Sequence, residues 1–296
     1  MRSSNLFLST LCVLISIIAY GQSPSIKLTE VYLTAGTLNG QNSSVSHSDY
    51  QLLAPGSQIL ENNPGGLDDT PNYYSPYNTS GGFSFQTGIQ FLNKDNNEYR
   101  SSPTLRVGLS YSRINQFSDW STSEDRTPYD TLVGQNTSNV YYLDSVTSRT
   151  LRGNYEYEQI SIDASLIFRT KDKYRWSVYG GIGINFGLSI NPQTSINYDE
   201  SEYTNVRGYT NEMPIPMMIN GENGVTETYQ NKNSFGGSAY LPLGVDFRIG
   251  KNSAFWNMFH LYAEARPGMM FQNIPELERT VVESYITINS GVRVRW

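Results

Sequence analysis

Every second residue is apolar over much of this chain. In "YITINSGVRVRW" (285–296), Ile286, Ile288, Val292, Val294 and Trp296 share one face of an extended strand, while Tyr285, Thr287, Asn289, Arg293 and Arg295 share the other. The alternation also runs through "LTEVYLTAG", where Val31, Leu33 and Ala35 oppose Glu30, Tyr32 and Thr34. It returns in "FSFQTGIQF", "LRVGLSY", "ISIDASLIF", "WSVYGGIGINFGL", "AYLPLGVDFRI" and "FHLYAEARPGM". Period two marks a strand with two unlike faces. Repeated in about eight segments, it predicts an all-β, antiparallel up-and-down transmembrane β-barrel, a class whose strands come in even numbers.

The connections alternate as well. Residues 38–80, 118–150 and 191–233 are long and polar; 93–102, 171–173 and 250–256 are short; 272–280 is intermediate. Long extracellular loops with short periplasmic turns are the pattern of an outer-membrane barrel, and with strand one running outward both termini lie in the periplasm. Aromatic residues mark two levels. Tyr174, Trp176, Trp256 and Trp296 fall at the short-turn ends, and Phe117, Trp120, Tyr155, Tyr157 and Phe271 near the long-loop ends. Two such levels are expected as girdles at the two membrane interfaces.

The start of the chain agrees with that address. Arg2 is followed by an apolar run and then by Ala19-Tyr20-Gly21, so residues 1–21 are expected to be a secretory signal peptide, leaving 22–296 as one barrel domain. Cys12 is the only cysteine and falls inside that segment, which removes disulfides, thiol nucleophiles and cysteine metal sites from the mature chain. The net charge is -6 and hydrophobic content 38%, values of a water-soluble protein, but 22 Tyr, 12 Phe and 25 Gly suit a barrel whose alternating faces average out.

The terminal aromatic strand resembles the sorting signal read by the outer-membrane barrel insertion machinery. Together with "YGGIGINFG" and "LPLGVDF", it makes the chain similar to the small eight-stranded outer-membrane β-barrel family of the OmpA transmembrane-domain type. The resemblance covers the mature chain and implies contact with outer-membrane lipid and lipopolysaccharide. It implies no peptidoglycan-binding function, because the sequence stops at the last strand. Val292, Val294 and Trp296 would form the insertion signal, with Trp176 and Trp256 in the girdle.

Alternation places Glu30, Asp163, Asp246 and Glu264 in the lumen with Arg106, Arg175, Arg248, Arg266, Arg293 and Arg295. An eight-stranded interior is just filled by side chains, so these charges are expected to pair into a plug; a gated ion path is the sharper alternative. Gly181, Gly183 and Gly187 mimic a nucleotide loop but lie on one strand face, and are expected only to relieve crowding. No cofactor or metal is expected: Asp68-Asp69 and the acidic cluster Asp199, Glu200, Glu202 lack Ca²⁺-loop spacing. Only two histidines occur, His47 in a polar loop and His260 near a short turn, a poor basis for catalysis. The third long loop is apolar at Met213, Ile215, Met217, Met218 and Ile219. These residues either cap the barrel mouth, the favoured reading, or meet an envelope protein. The acidic loops disfavour nucleic acid. The expected function is a non-enzymatic barrel with a surface-interaction, structural or envelope-assembly role. A narrow channel for a small solute is the alternative, and a lipid- or peptide-modifying enzyme comes third.

Overall fold

A computed structural model describes residues 26–41, 45–62, 73–74, 77–93, 98–133, 140–170, 174–207, 217–250 and 253–296. The expected signal peptide lies outside these residues. Eleven strands form one antiparallel sheet: β1 Ile26–Gln41, β2 Tyr73–Tyr74, β3 Tyr77–Asn93, β4 Glu98–Val133, β5 Val140–Arg169, β6 Trp176–Arg207, β7 Met217–Gln230, β8 Ser234–Tyr240, β9 Leu243–Arg248, β10 Phe259–Ile274 and β11 Arg279–Arg295. The helices are short: α1 His47–Leu53, α2 Gln58–Asn62 and α3 Ala254–Asn257.

The sheet closes on itself. β1 pairs with β3 on one side and β11 on the other, with Glu30 opposite Arg295 and Thr37 opposite Ile288. β8 and β9 both lie between β6 and β10 and make one stave, so the ring has eight staves in up-and-down order. The stave splits at Leu241-Pro242, because Pro242 has no N–H to give the ladder. Leu241 N donates to Pro267 O at 2.9 Å across the break.

Side-chain burial follows period two. Leu33, Phe83, Leu109, Ile162, Ile184, Phe186, Leu243 and Ile288 are exposed on the outside of the wall, while Tyr32, Gln86, Arg106, Asp163, Tyr240 and Arg293 are buried inside. This is the reverse of a water-soluble barrel, and it makes the exterior a lipid-facing belt. At the short-turn end Tyr174, Trp176, Trp256 and Trp296 are at least half exposed on the outside. The rings of Trp176 and Phe247 lie 4.4 Å apart, and Trp256 packs on Phe255 and Phe259. The two described ends of the chain meet there, Trp296 N donating to Thr29 O at 3.1 Å.

Two of the expected long loops are in large part strand. β4 has 36 residues and β3 17, an excess worth roughly 60 Å at ~3.3 Å per residue. The β4–β5 ladder runs without a gap in pairing from the barrel to Val133 opposite Val140, and β6 continues beyond the ring to pair with β7. The upper parts of β4, β5, β6 and β7 therefore form a four-stranded blade above the rim. Bulges mark the junction: the register shifts between Asn115 and Phe117 in β4, and between Glu156 and Glu158 of β5 where it meets Ile190 and Gln193 of β6. Asn191, inside the second bulge, has φ 50°. An extra residue exchanges the two faces of the strand beyond it.

That exchange corrects the upper girdle. Phe117 is expected outside by simple parity from Tyr111, but beyond the bulge it turns inward and is fully buried. Tyr155 and Tyr157, on the inward parity of β5, are buried with it. Phe271 stays on the outer face, and Trp120 is half-buried at the foot of the blade.

Candidate functional site

The lumen contains a two-tier ion-pair core. In the upper tier Arg106 grips Glu264 with both terminal nitrogens, at 2.9 and 3.1 Å, and gives its Nε to Ser165 Oγ at 3.0 Å. Arg266 bridges Glu264 and Asp163, reaching Asp163 Oδ2 at 3.1 Å. Asp163 Oδ1 accepts from Gln86 Nε2 and the Tyr240 hydroxyl, both at 2.7 Å. In the lower tier Glu30 accepts from Arg293 at 2.8 Å, from Arg169 at 3.2 Å and from Tyr32. Arg293 continues to Asp246 at 3.0 Å, and His260 Nδ1 lies 2.6 Å from the same carboxylate. The two tiers hold the acids Glu30, Asp163, Asp246 and Glu264 and the bases Arg106, Arg169, Arg266 and Arg293, so formal charge cancels within them without His260; Glu283 is buried on the inward face of β11 as well and accepts from Gln116 Nε2 at 2.6 Å. Small residues make room for it: a Cβ at Gly183 would collide with the Tyr240 ring.

Two arginines expected in this core, Arg175 and Arg248, sit elsewhere, and a third, Arg295, reaches it only from the rim. Arg175 precedes β6, where strand parity no longer holds; it is exposed, donates to the carbonyls of Arg248 and Ile249 at 3.3 Å, and stacks 4.6 Å over the outward Phe247 ring. Arg248 is half-buried at the lower rim, and Arg295 stands 3.9 Å from Glu30 with its side chain partly exposed. Arg169 was missed, although inward parity from Asp163 and Ser165 leads directly to it. His260, expected in the lumen near a short turn, is buried there, one residue into β10.

The mouth is filled by the first long connection, which is expected from the sequence to be loop and instead carries α1 and α2. Ser46 caps α1 through a reciprocal pair with Asp49, a local motif that was legible: Asp49 N donates to Ser46 Oγ at 3.2 Å and Ser46 N to Asp49 Oδ2 at 3.0 Å. Val45, Tyr50, Leu53, Ile59 and Leu60 then pack on Ile114, Phe117, Tyr155, Ile196, Ile274 and Val281 of the wall. Each buried aliphatic side chain contributes about 1.5–3 kcal/mol. Polar contacts fix the lid's orientation. Asn231 Nδ2 donates to Leu53 O at 2.7 Å, Ser57 Oγ to Glu227 at 2.5 Å, and Arg279 to Asp49 at 3.1 Å. The Tyr50 hydroxyl lies 3.0 Å from Asp119 Oδ2 and 2.9 Å from Gly153 O. Residue 153 must be glycine for this approach, since a Cβ would strike the Tyr50 ring.

Burial raises the Asp119 carboxyl above its ordinary value of 3.8, and raises the Tyr50 hydroxyl well above 10.0, with the Asp119 charge adding to the latter. Of the third-loop residues expected at the mouth, Met213 and Ile215 lie outside the described residues. Met217, Met218 and Ile219 belong to β7, where the backbones of Met217 and Met218 face Thr204 and Tyr203; their side chains are outside the description.

Between lid and core lies a chamber of about 110 Å³ with a mixed lining that includes Ile114, Tyr157, Gln159, Asp163, Asn185 and Arg266. Among the described residues no group of three or more His, Cys, Asp or Glu side chains is arranged to hold a metal ion.

No known family model matches the chain, and no characterised protein matches it in sequence. Solved structures do align along its length. Neisserial surface protein A shares 12% identity over 90% of this chain and 97% of its own, with a TM-score of 0.31. Ail, the attachment invasion locus protein of Yersinia pestis, shares 10% over 91% and 100%, with a TM-score of 0.23. A Pseudomonas aeruginosa FadL homologue shares 8% over 92% and 90%, with a TM-score of 0.19. The barrel assignment rests on the closed ring itself: β1 pairs with β11.

Proposed function

We propose that the chain is an integral outer-membrane barrel, non-enzymatic and closed to bulk flow, that acts through the blade above its rim in surface interaction or envelope assembly. The carrying observation is the double obstruction of the lumen, by a neutral ion-pair core and by an apolar helical lid, beneath a four-stranded extension. The blade end would face the exterior, with both termini periplasmic, in contact with outer-membrane lipid and lipopolysaccharide. His260 is engaged by Asp246, and the His47 ring lies 3.3 Å from the Gln51 amide; among the described residues neither is hydrogen-bonded to a serine, threonine or lysine nucleophile. The barrel insertion machinery would act on Val292, Val294 and Trp296 during biogenesis.

The test has three readouts. The protein should fractionate with outer membrane, lose blade segments when intact cells are treated with protease, and show no steady conductance in planar bilayers. Co-purification from native membrane should then recover an envelope partner that a blade-deleted chain loses. Recovery from a soluble fraction would sink the membrane assignment. The chamber of about 110 Å³ favours one second reading, a narrow path for a small solute that opens when the lid lifts. Large steady openings of the wild-type protein would put that reading first.

A further inference from the structure

A second, smaller pocket of about 40 Å³ lies between lid and blade, lined by Val45, His47, Tyr50 and Leu60 of the first connection and by Asp119, Trp120, Ser121, Leu151, Gly153 and Ile196 of the wall. Its walls are mostly apolar, but one corner is polar and incomplete. Asp119 is 4% exposed. Its Oδ2 is taken by the Tyr50 hydroxyl at 3.0 Å and by Val45 N at 3.4 Å, while its Oδ1 has no hydrogen-bond partner. Ser121, two residues along the same strand face and also lining the pocket, is buried with its Oγ equally unpartnered. No cation among the described residues pairs with Asp119. Every acid of the luminal core has an arginine; this carboxylate, under a comparable cover of protein, has none.

We infer that this pocket binds the ammonium group of a small aliphatic amine, with Asp119 as counter-ion. An ammonium carries three donors and no acceptor, which suits two unpartnered oxygens on one strand face. The Tyr50 ring offers the cation an aromatic flank. The alkyl stem fits the apolar part of the lining, Val45, Leu60, Leu151 and Ile196, and the volume admits the charged head and its first carbons but no bulky group. A lone water would satisfy the same oxygens without using the apolar walls. Because the first connection supplies four of the ten lining residues, an occupant favours the docked lid and acts as a clamp on the mouth.

The probe is n-butylammonium, compared with neutral 1-butanol, in saturation-transfer NMR on the purified full chain in a nonionic detergent. A heat-shifted gel band checks that each variant is folded. The expected result is a clear n-butylammonium signal in wild type, at least tenfold weaker in Asp119→Asn, with 1-butanol at one low background throughout. Ser121→Val keeps the carboxylate and fills the polar corner; it should weaken the signal several-fold, and it decides the matter if Asp119→Asn fails to fold. A signal undiminished in the folded variants, or 1-butanol binding as well as the amine, would overturn the site and leave a buried water as the partner of Oδ1.

Discussion

The luminal core and the mouth lid lie one above the other in the same barrel, yet they close it by opposite means. The core is built on charge: four acids and four arginines, carried by six of the eight staves, hold one another, and each charge has a partner. The lid is mainly apolar, made of two short helices from a single connection, and the buried Asp119 of β4 that meets it has no cationic partner among the described residues. Neutralised charge on a closed sheet can be broken only by unpairing it. A hydrophobic seat on a chain segment can lift while the wall stands. The core is thus part of the barrel's stability, and the lid is the element able to move against it.

Unpairing the core should have the largest effect. Glu264→Gln leaves Arg106 and Arg266 facing a neutral amide, and breaking a buried pair from one side costs about 3–5 kcal/mol. At roughly 2–4 °C per kcal/mol for a domain of this size, the heat-shifted gel band should be lost roughly 10 °C lower. The double change Arg106→Met with Glu264→Leu removes both charges and should recover much of that loss. A single variant as stable as wild type would show that the pair is not the anchor its geometry indicates.

The two regions also differ in how far the sequence discloses them. Strand parity is local, so the ring and most of its charged core were legible: Glu30, Arg106, Asp163, Asp246, Glu264, Arg266 and Arg293 all lie on the inward count. Parity fails where the strand does. Arg175 precedes the first residue of β6, and Phe117 follows a bulge that exchanges the faces. The lid was opaque for a different reason. The Ser46–Asp49 cap is readable, but the seat of α1 joins residues near 50 to wall positions near 117, 155, 196 and 274, and no local pattern encodes that meeting. The blade was hidden by its polar composition, since a strand with few apolar residues, such as "DWSTSEDRTPYD", lacks the apolar alternation that identifies one.

Leu53→Ala should be the next largest effect, and confined to the lid. Leu53 is fully buried in the mouth cluster, and a cavity there costs about 2–5 kcal/mol. The expected outcome is rapid protease cleavage within the first connection while the heat-shifted band stays near its wild-type temperature. Loss of the band in parallel would mean that lid and barrel unfold as one unit, and the contrast drawn above would fail. Gly153→Ala sharpens the same point with one methyl group. It pushes on the Tyr50 ring, at about 1–3 kcal/mol for overpacking, and Tyr50→Ala should relieve most of the added strain.

The smallest expected effect separates the regions by pH. Burial raises the Asp119 carboxyl in the docked lid above its ordinary 3.8. A docked state with the raised value binds the proton more tightly than the open state, so docking gains as pH falls. That contribution is fully present below the ordinary value and is lost as pH rises through the raised one. Hydrogen exchange of the α1 amides should therefore show more protection at mildly acid than at neutral pH, after correction for intrinsic exchange. The lid is also held by Asp49 through Arg279 and by Glu227 through Ser57. Asp119→Asn removes the titrating group while leaving an oxygen for Tyr50, and should flatten the gain. A profile that Asp119→Asn does not alter would place the sensing group elsewhere in the lid and remove the asymmetry between a paired core and an unpaired cover.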